Sequence, residues 1–147
     1  MSTDNNTIKF EITTPERVVF KEEISQITVP TRQGEITILP NHIPLVSILE
    51  PGVIELVRTD DSRHVLAVSG GFIEVLKGKV VILADTAEKG EEIDAEKAEA
   101  ARAEAEKSMK ELRREDQERF TNLSAKMAKE LARSKAVKRW KRVSRNT

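Results

Sequence analysis

The 147-residue sequence has no cysteine. That absence excludes disulfides, thiolate nucleophiles and cysteine-bound zinc together. His42 and His64 are the only histidines, too few for a histidine-rich metal site, and no metal site is expected. No stretch approaches the ~20 apolar residues that span a bilayer. The start, Met1 to Asn6, lacks the basic and apolar regions of a signal peptide and the Arg-rich look of a transit peptide, so a cytoplasmic chain is expected. Aromatics make up 3% of the residues, with no sheet aromatics arranged for base stacking. Glycine-rich phosphate loops are missing. No serine, cysteine or carboxylate is arranged beside His42 as a nucleophile and base pair, which points away from catalysis.

Net charge is also missing: 25 basic residues balance 25 acidic ones. The balance hides an asymmetry. Residues 1–87 carry 8 basic and 12 acidic groups, residues 88–119 carry the same numbers, and residues 120–147 carry 9 and 1. A cationic end is joined to an acidic remainder. All six glycines and all five prolines lie at or before Gly90, leaving 57 residues without a helix breaker. This shift divides the chain into a first part, 1–87, and a C-terminal arm, 88–147.

In the first part apolar residues alternate with polar ones, as in Ile8-Lys9-Phe10-Glu11-Ile12, so that each set shares a sheet face. Similar runs recur at Val18 to Phe20, Ile24 to Val29, Glu35 to Leu39 and Val46 to Leu49. Thr14-Pro15, Arg32-Gln33-Gly34, Pro40-Asn41 and Pro51-Gly52 supply turns between them. Two hairpins are predicted, Val53 to Arg58 with His64 to Val68, and Phe72 to Leu76 with Lys79 to Ala84. The spacing fits an antiparallel sandwich or barrel. Ser69-Gly70-Gly71 reads either as special backbone with a close neighbour or as an ordinary tight turn.

The arm reads as helix. Asp94 is placed to cap a first helix, whose stripe is Ala98, Ala101, Ala105, Met109 and Leu112. Asp116 can cap a second, with the stripe Phe120, Leu123, Met127, Leu131, Val137 and Trp140. Two antiparallel helices or one continuous helix would satisfy the pattern. A seam of alanines contributes only a few kcal/mol at roughly 25 cal/mol per Å², close to the entropy of ordering the segment. An arm held by so small a margin is expected to detach readily and to act as a switch.

Two long strings carry a resemblance. Gly34-Glu35-Ile36-Thr37-Ile38-Leu39-Pro40-Asn41-His42-Ile43-Pro44-Leu45, with Leu49-Glu50-Pro51-Gly52, is one; Val68-Ser69-Gly70-Gly71-Phe72-Ile73-Glu74-Val75, with Ala84-Asp85-Thr86-Ala87-Glu88, is the other. In this order they resemble the epsilon subunit family of F-type ATP synthases, and the match continues through Ile93-Asp94 into the arm. The resemblance implies an α+β fold in two segregated parts, a ten-stranded N-terminal antiparallel β-sandwich followed by a C-terminal two-helix hairpin. It implies a non-catalytic central-stalk subunit that couples gamma to the c-ring, at the cytoplasmic face of a bacterial plasma membrane and touching the membrane only through the complex. Rotor contact falls on Arg32, Gln33, Glu35 and His42; a solvated turn and a loop-holding hydrogen bond are the plainer readings of these residues.

In some relatives the first helix opens with a nucleotide-binding motif whose cationic residue is arginine. Here the matching positions are Glu88, Ile93, Asp94, Lys97 and Ala98. Lysine keeps the charge but loses the bidentate fork, so regulatory ATP binding is expected to be weak or absent, and no other cofactor is implied. Asp94 as a simple cap and Lys97 as a surface residue is the competing reading. The resemblance also implies an extended arm that meets the alpha and beta subunits and blocks hydrolysis, through Arg133, Lys135, Lys138, Arg139, Trp140 and Arg142. A permanently folded arm on a structural adaptor is one alternative. Anionic-polymer binding by the basic end is another; the acidic remainder and the scarcity of aromatics weigh against nucleic acid.

Overall fold

The computed structural model describes residues 6–112 and 115–146. Alternating residues form β1 (Ile8–Thr13), β2 (Val18–Thr31), β3 (Gly34–Ile38), β4 (Leu45–Leu49), β5 (Gly52–Arg58), β6 (Arg63–Val68), β7 (Gly71–Leu76), β8 (Lys79–Ala84) and β9 (Ala87–Lys89). Among the described residues there are nine strands rather than ten. The runs at Val18 and Ile24 are one 14-residue strand, kept continuous by an irregularity in its pairing with β5 between Ile24 and Gln26. The three residues of β9 are too few for alternation to reveal.

β2 is long enough to serve both layers of the sandwich. It pairs antiparallel with β1, then with β5 and β3, and touches β4 at Thr31 opposite Leu49. One layer runs β1-β8-β7-β4, with β1 and β8 parallel; the other runs β3-β2-β5-β6-β9. Their inward residues, Phe10, Ile12, Ile24, Ile27, Ile54 and Ile82 among them, form one apolar core. The glycine pair resolves in favour of special backbone. Gly70 and Gly71 have φ of +119° and +141°, and a Cβ on Gly71 would lie 2.1 Å from the Leu83 carbonyl oxygen.

A short 3₁₀ turn, Gly90–Glu92, leads from β9 into α1 (Ala95–Glu111), and α2 (Gln117–Arg145) follows. The chain breaks at Leu112, so the arm is a hairpin rather than one continuous helix. Asp94 and Asp116 both cap as expected, accepting from the Lys97 and Arg119 amides.

The packing of the arm differs from the stripe read in the sequence. α2 lies on the outer face of β5 and β6, while α1 packs on α2. A second apolar cluster joins Val53, Val65 and Ala67 of the sheet to Ile93, Ala98, Ala136 and Val143. The small Ala136 belongs to this cluster, and a Cβ on Gly90 would lie 3.2 Å from the Ala136 carbonyl. Phe120 is 52% exposed. Because Ser134 lies against Glu99, the residues by which the 29 of α2 exceed the 17 of α1 fall at its C-terminal end, on the sheet, while the exposed Phe120 sits near the tip of the hairpin.

Candidate functional site

Three features of this fold bear on function, and the first is the end of the sandwich at the β2–β3 turn. Thr31 accepts from the Gln33 amide (3.3 Å) and donates its hydroxyl to the Gly34 carbonyl (2.6 Å), fixing the turn from within. Arg32 is exposed and pairs with Glu50 at 3.0 Å, while Gln33 and Glu35 point to solvent. In the β3–β4 loop His42 Nδ1–H donates to the Ile43 carbonyl (2.7 Å), beside Asn41 at φ 67°. Arg32, Gln33 and Glu35 thus lie at one end of β3 and His42 in the loop beyond its other end, where it holds its own loop.

The outer side of β4, β7 and β8 carries a surface that sequence reasoning passed over. On the outer face of the first layer Ile48, Phe72 and Leu83 are direct cross-strand partners in β4, β7 and β8. Phe72 is 56% exposed, Leu83 57% and Val46 70%. The loop leading into β4 adds exposed Leu39 and Ile43. No element of the described chain covers this face. A signal was present: Val80-Val81-Ile82-Leu83 is continuously apolar, the pattern of a strand buried on both sides. The opposite outer face, on β5 and β6, has the same need and meets it with α2.

The third feature is the hinge between sandwich and arm. Arg133 of α2 donates from Nε to Glu88 of β9 (2.7 Å) and from Nη1 to Glu130 (3.1 Å). Burial works against its charge, but Glu88 and Glu130 more than offset this and raise its pKa. Ser134 donates to Glu99 of α1 (3.2 Å), so β9, α1 and α2 meet here. Of the positions matched to nucleotide binding, Glu88 is occupied by Arg133, Ile93 and Ala98 are buried, Asp94 is engaged in its cap, and Lys97 is exposed.

One turn and a half further on, Arg139 donates to Glu55 of β5 (2.9 Å), which also accepts from Arg63 (2.9 Å). The Trp140 ring lies 5.9 Å from that of His64 on β6 and packs against the second apolar cluster. Lys135, Lys138 and Arg142 remain exposed. The folded arm therefore ties Arg133 and Arg139 to sandwich carboxylates and leaves Lys135, Lys138 and Arg142 exposed.

The pattern of the ATP synthase, Delta/Epsilon chain, beta-sandwich domain matches residues 7–90. Over 98 residues the chain is 51% identical to the ATP synthase epsilon chain of Chloroflexus aggregans, covering 67% of this chain and 70% of that one. This chain belongs to the ATP synthase epsilon-chain family.

A second epsilon chain, from Herpetosiphon aurantiacus, is 48% identical over 103 residues, 70% of this chain and 75% of that one. A chain of the Euglena gracilis mitochondrial ATP synthase, solved by cryo-EM as OSCP/F1/c-ring in rotational state 1, superposes with a TM-score of 0.75 at 26% identity, over 86% of this chain and 79% of that chain. The family is that of a non-catalytic subunit of the rotor stalk, and its structural neighbour comes from an F1/c-ring assembly. Among the described residues no helix is long and apolar enough to cross a membrane.

Proposed function

We propose that this epsilon chain couples gamma to the c-ring through its sandwich and restrains ATP hydrolysis through its arm. The observation that carries the coupling is the uncovered apolar face of β4, β7 and β8, in a sandwich that also presents Arg32, Gln33, Glu35 and His42 at the two ends of β3. Gamma seats on Val46, Ile48, Phe72 and Leu83, where burial of apolar area supplies the affinity. The charged and amide groups of Arg32, Gln33 and Glu35 meet the polar loops of the ring, and His42 sets the shape of the adjoining loop. The chain works at the cytoplasmic face of a bacterial plasma membrane, as a peripheral part of the complex.

Restraint of hydrolysis follows from charge. Lys135, Lys138 and Arg142 sit unshielded on a nearly all-positive helix, and Arg133 and Arg139 add to them once released from Glu88 and Glu55. An acidic surface on the alpha and beta subunits would take up all five, with Trp140 as an apolar anchor. ATP acts weakly at most: Lys97 offers a point charge in place of a fork, and Glu88 already holds Arg133.

Phe72→Glu tests the coupling. It should leave the sandwich folded and weaken association with gamma by about 2 kcal/mol, roughly thirtyfold. Unchanged affinity would remove the apolar face from the gamma interface. Ending the chain after Glu92 tests the brake, and unchanged ATP hydrolysis in the assembled complex would leave only the structural adaptor.

A further inference from the structure

Three arginines from two distant parts of the chain meet beside the β5–β6 hairpin. Alternation along β6 puts Arg63, Val65 and Ala67 on its outer face, and the two apolar members lie in the cluster beneath α2. Glu55 stands diagonally across the β5–β6 ladder from Arg63, on the same face. On α2, Arg139 and Arg142 are three positions apart and so share a face, with Val143 buried next to them. Sheet and helix leave a cleft of about 440 Å³ between these residues, which Asp61 and Asn146 also line.

Glu55 brings two of the guanidiniums together. Its Oε1 accepts from Arg63 and its Oε2 from Arg139, each at 2.9 Å, and its side chain is only 16% exposed. Each arginine uses a single guanidinium nitrogen there, and the rest of its five-donor fork is open. Among the described residues the Arg142 guanidinium has no ion pair and no hydrogen bond. The cleft thus holds three guanidiniums against two carboxylates, on a segment, 120–147, with nine basic residues and one acidic. Glu55 already supplies a planar carboxylate. Three forks reaching in from two elements suit an anion with oxygens in three directions, and phosphate has that shape where a second carboxylate does not. Asp61 and the negative end of the α2 dipole work against any anion, so the dissociation constant is expected on the order of 1 mM.

We propose that this cleft is an oxoanion site for a phosphate group, free or carried on a nucleotide, which bridges Arg63 of the sandwich and Arg139 and Arg142 of the arm. It is separate from the positions matched to nucleotide binding: Arg139 and Arg142 lie beyond Arg133 by roughly 9–14 Å along the helix. Because the three arginines come together only when α2 is docked, the anion binds the docked arm and not the free one. Phosphate then favours docking by mass action, and at ten times its dissociation constant the docked-to-free ratio rises about elevenfold. Arg139 and Arg142 are also among the cations assigned above to the extended arm, so an occupied cleft withholds them from it. That consequence for hydrolysis rests on the brake proposed above, whereas binding is measured in the isolated chain, so the two can fail separately.

The test is a titration of the full chain with inorganic phosphate, and separately with ATP, against sodium chloride of equal ionic strength, followed by NMR of the arginine Nε–H groups and the α2 amides. Phosphate should give a saturable shift at Arg63, Arg139 and Arg142, and slower amide exchange across α2 at saturation. Arg142→Gln should lower the affinity at least tenfold and leave α2 exchange without phosphate unchanged, since this guanidinium holds nothing in the docked arm. Arg63→Gln should lower it too, with Arg139 still on Glu55. Tighter binding of ATP than of phosphate at these arginines marks a nucleotide as the source of the phosphate group; equal binding marks the free ion. No saturable shift beyond that of chloride with either anion overturns the site. So does a shift that survives in both arginine variants, or one abolished instead by Lys97→Gln.

Discussion

Gly71 leaves no room for a side chain. Its φ of +141° is strained for any L-residue, and a Cβ there would meet the Leu83 carbonyl oxygen at 2.1 Å. Gly71→Ala is expected to destabilise the sandwich by more than about 2 kcal/mol, read as a lower denaturant midpoint at unchanged slope. Gly90 is confined differently. Its neighbours are Trp140 Cβ at 3.1 Å, the Ala136 carbonyl at 3.2 Å and the Val65 carbonyl at 3.3 Å, so a side chain would push α2 from the sheet without entering the main core. Gly90→Val should speed exchange across α2 and leave β1 to β8 protected. The two arm arginines should also differ. Loss of Arg139 leaves Glu55 paired with Arg63 and costs about 0.5–1 kcal/mol. Loss of Arg133 leaves Glu130 buried without its partner and costs on the order of 2–3 kcal/mol. Equal effects of Arg133→Gln and Arg139→Gln in thermal unfolding would contradict this ranking.

Among the elements, β9 places the last strand of the sandwich astride positions 87 and 88. Ala87 is buried in the main core and Lys89 pairs with Leu66, which is why the truncation that tests the brake ends after Glu92. α1 is held largely by its own charges and by α2. Arg102 pairs with Glu99 (2.6 Å) and Glu106 (2.8 Å), and its hydrogen bonds hold both carboxyls below their ordinary 4.5. Because the folded values are the lower ones, this support is present above pH 4.5 and is lost as pH falls through the folded values. Helicity by circular dichroism should therefore decline in acid, and Arg102→Gln should flatten the decline; an identical profile in both chains would remove Arg102 as the cause. α2 shows how far periodicity carries. Its N-cap was legible, since capping by Asp116 depends on neighbours a few residues away. Its docking face was legible in part: Val137 and Trp140 of the stripe join the second cluster, whereas Ala136, whose small size permits close approach, gives little hydrophobic signal.

For the whole molecule, the sandwich has two apolar outer faces and the chain covers one of them. A chain ending at Glu92 should expose Val53, Val65 and Ala67 beside the already open Ile48, Phe72 and Leu83, and should self-associate in sedimentation at concentrations where the full chain stays monomeric. The Asp94 and Asp116 caps and the two hairpins were set by the sequence alone, because capping, turn chemistry and period-two alternation act over a few residues. What only the tertiary structure decided is which apolar face stays bare, which cations are held, and that Trp140 meets His64. These outcomes depend on partners far apart in the chain, as with Arg139 and Glu55, 84 positions from one another, and no local pattern carries that distance.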